Sequence, residues 1–224
     1  MPRTARSIRA GICYHVINRG NARATVFHDT LDYSAFMALA RQASLRTSTE
    51  VLAFCLMPNH FHFVLRPSLD DGLSKWAHWL LTSHVHRYQR RYAFSGRIWQ
   101  GRYKAFPVQD DAYLHAVMRY VEGNALRAGL VVRAEDWPWG SLALRTRSDT
   151  EDSSAVGSLR LPRQWVGLVN AVKSMPELED IRHAVRCGAP YGAQDWVSTC
   201  AAELGLEHTL RRRGRPRRAG PEGE

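Results

Sequence analysis

Short apolar runs and longer amphipathic stretches alternate along the first two thirds of the chain. The run GICYHVINRG alternates in polarity and is rich in β-forming residues, which predicts a strand at about residues 11–18. Residues 30–46 carry apolar side chains near helical spacing, and Asp29 or Thr30 is the expected cap of that helix. A strand followed by an amphipathic helix is therefore the first predicted unit.

Two further apolar runs, at about 51–57 and 60–66, are separated by Pro58-Asn59, which predicts a strand–turn–strand unit. The pattern then predicts an amphipathic helix, a strand and a second helix, at residues 72–93, 97–108 and 110–128. We expect the last helix to start with Asp110 or Asp111 as its cap and to end near Gly129. The order β-α-β-β-α-β-α predicts the α+β class, with helices packed on a ferredoxin-like antiparallel sheet.

The composition changes after this region, so the main domain is expected to span residues 1–145. Residues 146–160 are small, polar and unpatterned, which is typical of a linker. Residues 161–210 contain short helical patterns at about 163–173, 177–186 and 193–204, which predict a small helical annex; a helix-turn-helix is the alternative. Residues 211–224 form an arginine-rich tail that we expect to be disordered.

The overall composition is that of a globular protein. The 224 residues are 45% hydrophobic and 23% charged, which excludes wholesale disorder and collagen-like repeats. No apolar run approaches the ~20 residues of a membrane span, and the first residues lack an apolar signal core, so a cytoplasmic, nucleoid-associated location is expected. The cysteines show no CxxC spacing, and we interpret them as buried reduced thiols.

The charge balance adds the first functional indication. The chain has 31 Lys and Arg against 21 Asp and Glu, a formal net charge of +10, and all but Lys75, Lys104 and Lys173 of the cations are arginine. Arginine makes planar, bidentate contacts with phosphate, so a polyanionic partner is the leading interpretation. A GC-rich coding background would also favour arginine and stays as the alternative.

The most specific local motif is His60-Phe61-His62. Side chains at i and i+2 of a strand point to the same face, so both imidazoles would converge while Phe61 enters the core. Two histidines placed in this way are a natural metal pair, although two ordinary surface histidines remain the alternative. The second such motif, His84-Val85-His86, falls in a predicted helix, where i and i+2 diverge, so we expect these histidines to face solvent or nucleic acid.

A tyrosine and an asparagine share one face of the helix predicted at 110–128. Tyr120 and Asn124 are i, i+4 neighbours, so a phenol and a carboxamide could present a nucleophile and an oxygen ligand to one metal. An ordinary amphipathic helix with a half-buried tyrosine is the alternative. Tyr113 lies seven residues earlier on nearly the same face and is the rival tyrosine.

Two segments are candidates for nucleic-acid contact. Residues 87–104 contain no acidic residue and interleave tyrosine, phenylalanine and tryptophan with the cations Arg87, Arg90, Arg91, Arg97, Arg102 and Lys104. Cations can follow a phosphate backbone while aromatic rings stack on unpaired bases, although the rings could equally be core residues. In the tail, Arg213-Gly214-Arg215-Pro216 could lie in an A·T minor groove or bind phosphates without specificity.

Taken together, these residues resemble the single-tyrosine HUH transposases, and most of all the REP-associated tyrosine transposases. The segments that carry the resemblance occur in the family's order: YHVINRGN (14–21), LMPNHFHFVLRP (56–67), WQGRYKAFPV (99–108), YVEGNALRAGLV (120–131) and DWPWGS (136–141). The match is close over about 1–145 and looser over the C-terminal extension.

The resemblance implies metal-dependent cleavage and rejoining of single-stranded DNA at REP-type hairpins through a 5′-phosphotyrosine intermediate. His60 and His62 match the family's metal-binding pair, Tyr120 matches the nucleophile, and Asn124 matches the polar residue that can complete the metal site. Many relatives have proline after this asparagine, whereas this chain has Ala125, so the helix is expected to end differently. Mg²⁺ or Mn²⁺ is the expected cofactor, and a two-histidine site suits Mn²⁺ better on coordination grounds.

The expected partner is single-stranded DNA bearing such hairpins, bound by a monomer or a homodimer. Two other functions stay open: a non-catalytic regulator that binds hairpin DNA, and a metal-dependent phosphoesterase that uses activated water. His115 is a candidate base for Tyr120, beside a water-mediated route.

Overall fold

The computed structural model of the chain describes residues 8–147, 157, 159–171 and 175–211. The described strands are β1 (Cys13–Arg19), β2 (Thr49–Met57), β3 (His60–Pro67) and β4 (Lys104–Val108). The described helices are α1 (Thr30–Thr47), α2 (Gly72–Tyr92), α3 (Ala112–Glu122), α4 (Asn124–Arg127), α5 (Ser141–Thr146), α6 (Trp165–Asn170), α7 (Met175–Cys187), α8 (Gln194–Leu204) and α9 (Glu207–Leu210).

The strands form one antiparallel sheet in the order β2-β3-β1-β4. Strands adjacent in the sheet are thus not all adjacent in the chain, because α1 and α2 each carry the chain across the sheet. The β-α-β-β-α-β connectivity and this strand order confirm the predicted ferredoxin-like α+β fold.

Helices cover both faces of the sheet, so the strands are buried on both sides. Their sequences are therefore nearly continuous apolar runs. On one face, α1 and α2 pack over a cluster centred on Phe36, Phe61 and Trp76. On the other face, α3 packs over a second cluster that includes Val64, Phe106 and Val117. The alternation of β3 therefore sends Phe61 to the α1/α2 face and its histidine neighbours to the α3 face.

The helix starts and ends follow local chemistry in some places and tertiary contacts in others. The side chain of Asp29 accepts a hydrogen bond from the Asp32 amide, which confirms the predicted cap of α1. Asp111, one of the two residues predicted as the cap, occupies the N-cap position of α3, but its side chain makes no cap hydrogen bond and its φ is positive, at 72°. The predicted helix 110–128 is divided at Gly123 into α3 and α4.

Two other predictions for the middle of the chain are corrected. The strand predicted at 97–108 is limited to β4, because Ile98 and Trp99 turn into the core and only an isolated bridge joins Trp99 to Gly20. His84 does not face solvent or nucleic acid: it is 3% exposed and lies among the rings of Phe36 and Trp99.

The C-terminal helices pack on the main sheet domain. Trp165 and Val169 of α6, and Leu178 and Ile181 of α7, lie in the same apolar cluster as α3. The amide of Gly157 donates to the Val51 carbonyl at 2.7 Å, so this residue of the predicted linker lies beside β2. None of the described helices combines the length and apolar character that a bilayer crossing requires.

The four cysteines are unpaired, as expected. Cys13, Cys55 and Cys200 are buried and Cys187 is half-buried.

Candidate active site

The predicted histidine pair lies on β3, on the sheet face that α3 covers. The ring centroids of His60 and His62 are 5.1 Å apart, and His62 is 5% exposed whereas His60 is half-buried. The two imidazoles thus converge as strand geometry predicts.

The turn before β3 fixes the first of these rings. Nδ1 of His60 lies 2.6 Å from the side-chain oxygen of Asn59, and the Gly20 amide donates to the Asn59 carbonyl at 2.8 Å. A Cβ on Gly20 would lie 2.2 Å from the Ala24 carbonyl oxygen, so this close backbone approach requires glycine. Because an amide oxygen only accepts, His60 carries its proton on Nδ1 and keeps the Nε2 lone pair for a ligand.

A third histidine, which sequence reasoning did not identify, contacts His62. His15 on β1 is fully buried, and its Nε2 lies 2.9 Å from Nδ1 of His62. A metal-binding histidine almost always uses its other ring nitrogen for a hydrogen bond that orients the ring. His15 can accept that bond from His62, which leaves Nε2 of His62 free for a metal. The sequence did contain one indication of His15, a single histidine inside the otherwise apolar run CYHVI. That its partner is His62 follows only from the register of the strands.

The predicted nucleophile faces these rings. Tyr120, near the end of α3, is 9% exposed, and its ring centroid lies 6.0 Å from those of both His15 and His62. The structure therefore brings Tyr120 and the histidine pair together on one face of the sheet.

Arg127 joins Asn124 to Tyr120. Arg127 donates to the Asn124 side-chain oxygen at 2.7 Å and to the Tyr120 carbonyl, and its guanidinium lies 4.5 Å over the Tyr120 ring. A Cβ on Gly123 would lie 2.7 Å from the Arg127 guanidinium, so the glycine leaves room for this arginine to fold back. Arg127 is exposed as a whole residue, so a phosphate could reach it.

A buried carboxylate anchors the end of α3 between Tyr120 and Asn124. Glu122 is 2% exposed and accepts hydrogen bonds from Ser141 Oγ at 2.6 Å, Arg145 Nε at 2.9 Å and Trp165 Nε1 at 2.6 Å. The donors come from α5 and α6, so the C-terminal helices help to hold the segment that carries the candidate nucleophile.

Burial keeps the three imidazoles neutral. Desolvation lowers the pKa of His15 to about 3 and that of His60 to about 4, with a further contribution to His60 from the charge of Arg19. The pKa of His62 is lowered well below its usual value by desolvation and then by the neighbouring His15, His60, Arg127 and Arg19. Neutral imidazoles keep the lone pairs that a metal needs, and the surrounding arginines make the site attractive to phosphate.

The residues present fit a divalent ion. Among the described residues, His60 and His62 make their ring hydrogen bonds through Nδ1, which leaves Nε2 of each ring for a ligand. The Asn124 oxygen accepts from Arg127 but keeps a second lone pair. No set of three His, Cys, Asp or Glu side chains that could hold a metal occurs among those residues, so the predicted site would rely on two imidazoles and the amide oxygen of Asn124.

The rival candidates have other surroundings. The ring of Tyr113 packs edge-on against Tyr191, with centroids 5.4 Å apart. His115, considered as a base, packs its ring against Trp165 at 5.7 Å. The imidazoles beside the Tyr120 ring are instead those of His15 and His62.

The predicted DNA-binding cations do not form one surface. Arg87, Arg90 and Arg91 lie on α2, across the sheet from the histidines, and Arg91 is engaged by Asp29 and Asp32. The remaining described cations of this set are exposed on the segment that leads into β4: Arg97, Arg102 and Lys104. Arg213 and Arg215 lie outside the described residues.

The aromatic residues between these cations are mostly structural. Trp99 and Tyr103 are each 6% exposed, and Tyr88 and Tyr92 are half-buried beside His28. Phe94, at 45% exposure, is the ring of this segment most open to a base.

Comparison with known proteins agrees with the fold and the motifs. The family described as IS200-like transposase matches residues 9–124, just over half of the chain. The chain belongs to the IS200-like transposase family, whose members generally depend on a metal.

Two individual proteins are also similar. A Haemophilus influenzae (strain Rd) protein, named as a REP-associated tyrosine transposase, is 27% identical over 122 residues, which cover 49% of this chain and 69% of that protein. A solved structure of a REP-associated tyrosine transposase bound to a REP hairpin superposes with a TM-score of 0.52 at 18% identity, over 73% of this chain and 96% of that one. The second match supports the fold.

Proposed function

We propose that this transposase-family protein cleaves and rejoins single-stranded DNA beside REP-type hairpins, with Tyr120 as the nucleophile. The observation that carries the proposal is the convergence of Tyr120, His60 and His62 on one sheet face, with the rings of Tyr120 and His62 6.0 Å apart. Hairpin recognition is carried over from the names of the two relatives.

The covalent step balances without an external energy source. The Tyr120 hydroxyl oxygen attacks the phosphorus of a phosphodiester, and the bond from phosphorus to the 3′ oxygen breaks. The phenol proton passes to solvent, and the departing 3′ oxygen gains a proton. The products are a 5′-phosphotyrosine and a free 3′-hydroxyl, and the reverse attack rejoins the ends.

The protein's own groups prepare this step. Arg127, which lies over the Tyr120 ring, can donate to the phosphate oxygens as negative charge builds on them. Glu122 holds the end of α3 in position, and His15 orients His62. His60, His62 and Asn124 would hold Mg²⁺ or Mn²⁺, which when bound polarises the scissile phosphate.

A covalent-trapping assay tests the proposal. The protein is incubated with Mg²⁺ or Mn²⁺ and end-labelled single-stranded DNA that carries a REP-type hairpin from the source genome, and adducts are resolved on a denaturing gel. We expect an adduct that is lost in Tyr120→Phe and His60→Ala and retained in Tyr113→Phe, the matched control on the same helix.

The other outcomes separate the alternatives. Loss of the adduct only in Tyr113→Phe would assign the nucleophile to the rival tyrosine. Tight hairpin binding with no adduct under either metal, across several flanking sequences, would favour a binding regulator. A free 5′-phosphate product without an adduct, with activity surviving Tyr120→Phe, would indicate hydrolysis by water.

A further inference from the structure

A basic groove lies beside the candidate active site. Its volume is about 510 Å³, and its walls are the end of β1, the segment from Gln100 to Lys104, and α7. The lining contains no acidic side chain and five cations: Arg19, Arg102, Lys104, Arg182 and Arg186. The arginines of α7 were not identified by the sequence analysis as DNA-binding residues.

The groove is continuous with the site. Its β1 residues Ile17 and Arg19 are the cross-strand partners of His62 and His60, so their side chains lie on the same sheet face as the histidines. On the opposite wall, α7 packs against α3 and β4.

Two of these arginines make no ion pair within the described part of the chain. Arg182 and Arg186 are i, i+4 neighbours on α7, both are exposed, and neither has an ion-pair partner among the described residues. Like charges at this spacing oppose helix formation by a few tenths of a kcal/mol, about 0.2–0.5. Arg119 and Arg145, by contrast, are paired with Glu177 and Glu122. The α7 pair is therefore available for an anionic ligand.

The lining indicates which part of a nucleic acid the groove would hold. It contains no aromatic ring on which a base could stack, but it offers guanidinium and ammonium groups that suit phosphates. Its volume is in the range of pockets that hold one small ligand, which is too small for a duplex. The chemistry therefore fits the sugar–phosphate backbone of a single strand.

We propose that this groove binds the phosphodiester backbone of the single-stranded segment that flanks the hairpin, without regard to base identity, and leads it to Tyr120. The proposal rests on the proposed function, because it assigns the path of that substrate.

The test compares a hairpin alone with the same hairpin carrying a single-stranded flank, with binding measured by fluorescence anisotropy in EDTA. The flank should raise the affinity of the unmodified protein, and Arg182→Ala/Arg186→Ala should remove most of that gain. The control, Arg87→Ala/Arg90→Ala, removes the same charge from α2 across the sheet and should keep the gain. The variant Arg182→Lys/Arg186→Lys should also retain much of it.

Salt and base identity give a second measurement. Two phosphate contacts to a single strand contribute a slope of about −1.4 in log affinity against log salt. Raising the salt fourfold should therefore cost the unmodified protein roughly sevenfold more affinity for the flanked hairpin than it costs the alanine variant. A flank of scrambled sequence should bind equally well.

Failure of this proposal is distinguishable from failure of the proposed function. An unchanged flank gain in the alanine variant, or a gain that depends on the flank's bases, would overturn the groove assignment while the Tyr120 adduct still formed. Absence of any hairpin or flank binding, together with no adduct, would overturn both.

Discussion

Replacing Glu122 with glutamine should destabilise the protein far more than the loss of one surface ion pair. The Glu122 carboxylate is fully enclosed and accepts three hydrogen bonds, from Ser141, Arg145 and Trp165. A glutamine keeps the volume but replaces one oxygen with an NH₂ group, which would face a donor. It also leaves the Arg145 guanidinium, only 17% exposed, without its counter-charge.

The expected cost follows from these contacts. Breaking a buried ion pair by removing one partner costs about 3–5 kcal/mol. We expect Glu122→Gln to cost about 3 kcal/mol, the lower end of this range, because glutamine keeps one oxygen that can accept a hydrogen bond. Trp165→Phe removes a single donor and should cost about 1–3 kcal/mol.

Urea unfolding followed by far-ultraviolet circular dichroism measures these differences. The matched control is Glu203→Gln, which breaks the exposed pair between Glu203 and Arg9, whose side chains are 42% and 52% exposed. That pair should contribute less than about 1 kcal/mol. If Glu122→Gln and Glu203→Gln lowered the free energy of unfolding by amounts within about 1 kcal/mol of each other, the structural role assigned to Glu122 would be wrong.

Three further predictions concern the site and the core. His15→Phe should weaken Mn²⁺ binding about 10–100-fold in calorimetric titration, because His62 loses the group that orients it, and an unchanged affinity would contradict this. Arg127→Ala should slow adduct formation about 100-fold and change the hairpin affinity little, and Arg127→Lys should recover part of the rate. If Arg127→Ala formed the adduct as fast as the unmodified protein, a contact between Arg127 and the phosphate would be excluded. Burial lowers the pKa of His84 to about 4 against about 6.5 unfolded, so the unfolded state takes up the proton first and stability falls as the pH drops from 6.5 to 4. His84→Phe should reduce the slope of the unfolding free energy against pH by up to about 1.4 kcal/mol per pH unit in this range, and unfolding measured at several pH values checks this.

The fold was largely predictable because its elements have clear local periods. The strand alternation in β3 fixed that His60 and His62 share a face, and the turn at Pro58-Asn59 fixed where that strand begins. The helix boundaries predicted for α1 and α2 agree with the structure to within about a residue. The sequence pattern also placed Tyr120 and Asn124 one turn apart, and on either side of the break Gly123 makes hydrogen bonds of helical spacing, with Arg119 and with Arg127.

The errors arose where a tertiary contact overrides a local pattern. Polar residues such as His84 are expected to face solvent in an amphipathic helix, yet the aromatic cluster between α1 and α2 encloses this ring. The basic and aromatic stretch at 87–104 reads as one nucleic-acid segment, but α2 carries its first arginines to the far side of the sheet. Its tryptophan and its last tyrosine fill the core instead.

The sequence by itself therefore determined the type of fold, the histidine pair and the candidate nucleophile, because each depends on residues that are near one another in the chain. Only the tertiary structure brought His15 against His62, joined Glu122 to Trp165, and set Arg182 and Arg186 across a groove from Arg19. These juxtapositions depend on strand order, register and helix packing, which join residues far apart in the chain, and no local periodicity records them.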